Sequence, residues 1–257
     1  MTFSNPPIVE AIFHLVVERD GDFERETLND YAKYITEKFP IFDKKEKRFL
    51  KNDISFNLDE PDNITSLVSN NLEGYILSSN DNSRVIQANI DSFSFSKLPP
   101  YETWDIFYKE ANEFWRKYIE ITSVKQVKRL SLRYLNRIAI PFNKKPIKLQ
   151  DYIKVFPEVS DDLSMTISGY FMQVALACNN YEPSKAIVNQ TVGNEVVENS
   201  NSDSTFIPLI FDVEVFQDVD LDPQNSSIES IFVDNLRPFK NDVFFNSITD
   251  RSREFFK

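Results

Sequence analysis

Arg129, Arg133 and Arg137 recur at every fourth position of the run Arg-Leu-Ser-Leu-Arg-Tyr-Leu-Asn-Arg-Ile, residues 129–138, the most informative stretch for chemistry in this sequence. On a strand, even spacing puts all three arginines on one face, while Leu130, Leu132, Tyr134, Asn136 and Ile138 line the other. Guanidinium groups in a row repel one another unless anions lie between them, and their forked donors match a carboxylate or a phosphate. The sequence supplies internal anions: Glu10 near the start, and Asp212 with Glu214, which share a face of Phe-Asp-Val-Glu-Val-Phe. The row therefore reads either as an internal ion-pair ladder that sets strand register, the simpler expectation, or as a site that grips an anionic ligand. Glu10, Arg133, Asn136, Arg137, Asp212 and Glu214 form the expected ligand site or buried polar network. Glu10 is expected to pair with Arg133 or Arg137, and the Asn136 amide to be buried and bonded.

Other chemistries find less support. Asp212 and Glu214 share a face and suit a magnesium ion in type, yet no carboxylate-rich loop accompanies them, so salt bridges are expected and no metal. His14 shares a strand face with Glu10 and reads as a hydrogen-bonded structural histidine, since no serine or cysteine motif is there for it to serve. Cys178 follows an apolar run and reads as a small buried hydrophobe. One Cys and one His cannot build a disulfide framework or a Cys/His zinc site. The four glycines, Gly21, Gly74, Gly169 and Gly193, are too scattered for a phosphate-cradling loop, which excludes the common nucleotide-binding turns. The expectation is no catalytic constellation and no cofactor.

Charge and composition narrow the partners. The 257 residues carry 29 Lys+Arg against 40 Asp+Glu, a formal charge of −11, which opposes binding to a phosphate backbone, so no nucleic acid is expected. Apolar residues at 41% and charged residues at 27% suit a globular chain with a proper core. The opening run lacks a basic region and interrupts its apolar stretch with Glu10 and His14; no segment has the roughly 20 apolar residues of a membrane span. A cytoplasmic protein with no membrane partner is expected.

These residues need elements to hold them. Alternation predicts a strand at 8–19 and a long one at 126–140, with others at 46–57, 71–79, 84–97, 163–178, 184–197 and 205–217. Three- and four-residue spacing predicts helices at 23–39 and 101–121, a short helical piece at 147–155, and a final helical region over 225–256 broken at Pro238. Both halves then read β-α-β-β-β-α. The expected fold is α+β: a mainly antiparallel sheet with helices packed on one face, in a single domain spanning 1–257. Its two pseudo-repeats, 1–122 and 123–257, would share that sheet, an inference from element order alone.

The opening Asn5-Pro6-Pro7-Ile8-Val9-Glu10-Ala11-Ile12-Phe13 resembles the signature of a sporadically distributed bacterial family without an assigned activity, the N-P-P-hydrophobic-Val-Glu family. Similar runs follow in order at 93–107 (FSFSKLPPYETWDIF), 132–138 (LRYLNRI), 211–216 (FDVEVF) and 243–256 (VFFNSITDRSREFF). The resemblance implies an accessory gene, in mobile or defence-related loci, and adds weight to Glu10, Arg133, Asn136, Arg137 and Asp212. The leading functional expectation is a non-enzymatic interaction or regulatory module that binds a protein partner or itself as a homo-oligomer. The alternative is an anion-recognising protein or enzyme built on the arginine row and the paired carboxylates.

Overall fold

Alternation over Ile8–Glu18 builds β1, which buries Ala11, Phe13, Leu15 and Val17 on one face. The same periodicity builds β6 (Gln126–Pro141) and β10 (Thr205–Leu221), the two longest strands. Between them come α1 (Glu26–Ile35), β2 (Ile41–Lys51), β3 (Leu67–Ser78), β4 (Arg84–Asn89), β5 (Ser92–Lys97), α2 (Trp104–Thr122), β7 (Tyr170–Ala177), β8 (Lys185–Val192) and the two-residue β9 (Val197–Glu198). The structure, a computed structural model, describes residues 3–21, 23, 26–51, 67–142, 147–160, 162, 167–192, 197–198 and 205–257. Residues 52–57, 163–166 and 193–196, parts of three expected strands, lie outside the described residues.

All strands join one antiparallel sheet in the order β2-β3-β4-β5-β1-β6-β10-β8-β7, with β9 beside β10. β1 and β6 lie side by side in its middle. From β1 outward the first half runs from its last strand to its earliest, β5 to β2, and from β6 outward the second half does likewise, β10 to β7. The fold is therefore α+β, and its helices cover one face. Leu28 and Tyr31 of α1, Phe107, Trp115 and Tyr118 of α2, and Phe232, Leu236 and Phe239 near the C-terminus close over the buried row of β1 and over Leu130, Leu132, Phe211 and Val213. Register places Glu10, Arg133, Asp212 and Glu214 on the opposite face.

Local chemistry sets the element ends. Thr103 caps α2 by accepting the Ile106 amide, and Ser123 ends the helix in the left-handed region at φ 49°. The strand expected over 84–97 is two strands, because Asn89 to Ser92 makes a turn closed by an Asn89 Nδ2 to Ser92 Oγ bond of 3.0 Å. At Gly74, in β3, a side chain has no room: a Cβ would lie 2.4 Å from the Ala88 carbonyl oxygen. The piece expected at 147–155 holds only one 3₁₀ turn, Leu149–Asp151.

The C-terminal helix corrects the sequence reading at Pro238. The chain stays helical through α3 (Ser227–Ser230), a π-helical segment (Ile231–Leu236) and α4 (Arg237–Ser247), and turns only before α5 (Asp250–Glu254). Pro238 stands at the first turn of α4, directly after the π-helical segment. There the wider ladder has already changed its bonding, so the missing proline N–H does not break the run. This continuity carries the helix across the sheet face above Tyr134.

Candidate functional site

The arginine row is engaged within the fold. Arg133 grips Asp212 with both prongs, Nε to Oδ1 at 2.8 Å and Nη2 to Oδ2 at 2.6 Å. Asp212 is 3% exposed and also accepts the Asn189 amide at 3.1 Å. That hydrogen bond to Asp212 raises the Arg133 pKa against a smaller opposing effect of desolvation, with Glu214 and Glu10 adding weaker attraction. Arg129 pairs with Asp218 at 2.6 Å and lies over Phe216. Arg137 is exposed and lies over the Phe206 ring, 5.3 Å from its centroid.

Glu10 departs from expectation, since among the described residues it forms no ion pair with Arg133 or Arg137. The reason is register. Ile12 and Glu214 stand directly opposite Arg133, while Glu10 and Asp212 both stand opposite Leu135. Arg133 reaches one of these two diagonal neighbours and takes Asp212. Glu214 instead accepts the Ser131 hydroxyl at 2.7 Å. Asp212 and Glu214 thus serve different partners, and among the described residues no group of three or more His, Cys, Asp or Glu is placed to hold a metal ion. His14 stands in register between Ser94 and Ser131 on this polar face, and Cys178 is partly buried against the core.

Asn136 belongs to the other, helix-covered face. Its amide donates to the carbonyl oxygens of Phe211 at 3.0 Å and of Tyr134 at 3.2 Å, and it is 3% exposed. It lines a pocket of about 290 Å³ shared by four parts of the chain. Phe3, Pro6, Pro7 and Ile8 come from the N-terminal segment, Tyr101 to Asp105 from the entry to α2, Tyr134 and Asn136 from β6, and Arg237, Lys240, Asn241, Phe244 and Phe245 from α4. A register shift between Ile8 and Glu10 lets the Pro7 carbonyl accept the Arg137 amide at 2.8 Å, which holds the proline pair against β6 at the pocket's edge.

The walls are aromatic and the polar groups few. Tyr101 and Tyr134 share a hydroxyl hydrogen bond of 2.8 Å, with their rings edge to face at 5.7 Å. Arg237 lies over Trp104, 5.2 Å from its centroid. The Lys240 Nζ sits 3.9 Å from the Tyr134 centroid and donates to Asn241 Oδ1 at 2.6 Å. Burial, with the neighbouring Arg237 charge acting in the same direction, pushes the Lys240 pKa down to about 7. Burial pushes Tyr101 up to about 12 and raises Tyr134 well beyond its ordinary value, so both stay neutral hydroxyls. Glu102 and Asp105 are exposed at the rim, and neither forms an ion pair with Arg237 or Lys240.

Of the expected site residues, only Asn136 lies in this pocket; the other five lie on the opposite face. Tyr101, Trp104, Arg237 and Lys240 were not singled out for chemistry from the sequence. A signal was present: two cations three positions apart, in a helix otherwise lined by Phe239, Phe244 and Phe245. A second signal lay in the conspicuous segments 5–13, 93–107, 132–138 and 243–256, each of which contributes to the pocket wall.

No family model and no curated protein sequence matches this chain. Among the described residues no helix is long and apolar enough to cross a membrane.

Proposed function

We propose that this protein binds a small organic anion, a carboxylate on an apolar or flat body, in the pocket between α4, β6 and the N-terminal segment. One observation carries the reading: Arg237 and Lys240 both line an aromatic pocket, and among the described residues neither has a carboxylate partner. Two like charges beside each other under apolar cover are costly, and an anion between them relieves both their repulsion and their desolvation. The volume of about 290 Å³ stands at the small end for ligand pockets. Anion recognition, which the sequence offers as the alternative to an ion-pair ladder on the Arg129–Arg137 row, is better supported here, because Arg129 and Arg133 already have internal carboxylate partners.

Trp104 lines the pocket beneath Arg237 and reports on it by fluorescence. Small carboxylates are expected to quench or shift that emission and to raise the melting temperature, whereas the matching amides leave both unchanged. Arg237→Met should weaken binding roughly ten- to hundredfold, the loss of one charge-assisted contact of about 1.5–3 kcal/mol. Equal responses to acid and amide would overturn the proposal. An inorganic phosphate arm tests whether the site prefers that anion instead.

A second reading, self-association, draws on the edge strand. β7 ends the sheet order, and Phe171 on it is 71% exposed. Strand-to-strand pairing of two copies through β7 would cover both. Sedimentation velocity over a concentration series should then show a dimer that Phe171→Lys abolishes; a monomer at every concentration rejects this reading.

A further inference from the structure

We infer that the Lys240 amine condenses with the carbonyl carbon of a 2-oxo acid whose carboxylate is held by Arg237, forming a covalent imine in the pocket. This inference rests on the reading of the pocket as an anion site. Lys240 and Arg237 stand one helical turn apart on α4, so both project from the same side of the helix. The carbonyl and carboxylate of a 2-oxo acid are adjacent, which suits two such neighbouring side chains.

Burial and the adjacent Arg237 charge favour the amine of Lys240, against the attraction of the Tyr134 ring face for the ammonium. The charged and titratable groups facing it are Arg237 on its own helix, Tyr134 on β6, Tyr101 before α2, and the exposed Glu102 and Asp105 at the rim. Both tyrosines are neutral, and Arg237 repels the ammonium. The one hydrogen bond made by Nζ among the described residues goes to a neutral amide oxygen, Asn241 Oδ1, which both the amine and the ammonium can donate to. With its pKa lowered to about 7, Lys240 supplies free amine at neutral pH, whereas an ordinary lysine is almost wholly protonated. Burial beside another cation is a recognised way of activating a lysine for Schiff-base chemistry.

The step balances without any oxidant or reductant. The nitrogen lone pair forms a bond to the carbonyl carbon and the carbonyl π electrons move to oxygen; the nitrogen gives up one proton as the oxygen takes one up, which gives a carbinolamine. The carbon–oxygen bond then breaks as the oxygen takes a second proton and leaves as water, the nitrogen lone pair closes the carbon–nitrogen double bond, and the nitrogen releases its remaining proton. The product is an imine and one water. Proton donors stand in the same wall, since the Tyr101 and Tyr134 hydroxyls are hydrogen-bonded there.

The test is reductive trapping of the 257-residue chain with cyanoborohydride and pyruvate, followed by peptide mass mapping. Lys240 is expected to carry the adduct at least about tenfold faster than any other lysine, because the rate follows the free-amine fraction and the local concentration. Acetone, a ketone that lacks the carboxylate, should label Lys240 much more slowly, and Arg237→Met should erase the pyruvate preference. Lactate, which has the carboxylate but no carbonyl, reports binding alone through Trp104 emission. If lactate and pyruvate both bind but Lys240 gains no adduct, the imine fails and the anion site stands. If neither binds and labelling spreads over the surface lysines, both fail. Preferential labelling that is equal for pyruvate and acetone overturns the role given to Arg237.

Discussion

Phe13→Ala is expected to lower the free energy of unfolding by about 3–5 kcal/mol, with a urea midpoint shifted accordingly and an unchanged denaturant slope. Phe13 is 1% exposed at the centre of β1 and stacks on Phe232 of the π-helical segment at 4.3 Å, with Tyr108 of α2 edge-on at 6.1 Å. It is the point where the middle of the sheet meets both major helical elements. β1 is hydrogen-bonded on each side, to β5 and β6, so the strand cannot move in to fill the space left by the ring. That rigidity puts the cost at the upper end for a lost aromatic, transfer and cavity together. Phe13→Leu, which keeps most of the volume, should cost well under half as much. A loss below about 1 kcal/mol for the alanine variant would show that the helices do not seat on β1 through this ring.

The second large effect is a stability gradient with pH that belongs to Lys240. Its folded pKa lies at about 7 and the ordinary lysine value at 10.5, so between them the unfolded chain binds the extra proton. Stability therefore rises with pH across this window, and below pH 7 the full cost of the buried ammonium remains. Wild type should gain up to about 1.4 kcal/mol per pH unit relative to Lys240→Met, which keeps the stem and removes the titration. The variant is accordingly the more stable protein at about pH 6, and the gap narrows steadily toward pH 9. Comparing the two proteins cancels the surface lysines such as Lys125 and Lys128, whose carboxylate partners raise their pKa values. Parallel stability curves from pH 6 to 9 would mean that solvent reaches the ammonium freely.

The division of side chains between sheet faces was legible because it depends only on local periodicity. Strand alternation put Arg129, Arg133 and Arg137 opposite Tyr134 and Asn136 before any neighbour was known. The strand pairing then kept every one of them on its assigned face. The α2 helix was equally legible, since Trp104, Phe107, Ala111, Phe114, Trp115 and Tyr118 are all buried at the spacing of one helical stripe. The partner of Arg133 was not legible. Glu10 and Asp212 lie on the correct face of adjacent strands, and the choice between them depends on which diagonal the side chain takes, a property of the assembled sheet.

The pocket lies furthest beyond the reach of sequence reasoning. Its cations come from residues 237 and 240, its tyrosines from 101 and 134, and its rim from residues 3 to 8, separations that no local pattern spans. Pro238 pointed toward a broken helix, whereas the π-helical segment carries the chain on so that Arg237 and Lys240 meet the rings of Trp104 and Tyr134. The sequence alone determined which residues could be buried and which strand face each would take, because backbone geometry repeats every two or 3.6 residues. Only the tertiary structure decided that an arginine and a lysine share an aromatic pocket in which, among the described residues, neither is paired with a carboxylate, because burial and neighbouring charge arise when distant segments pack. Those two quantities turn an ordinary lysine into a group that titrates near neutrality.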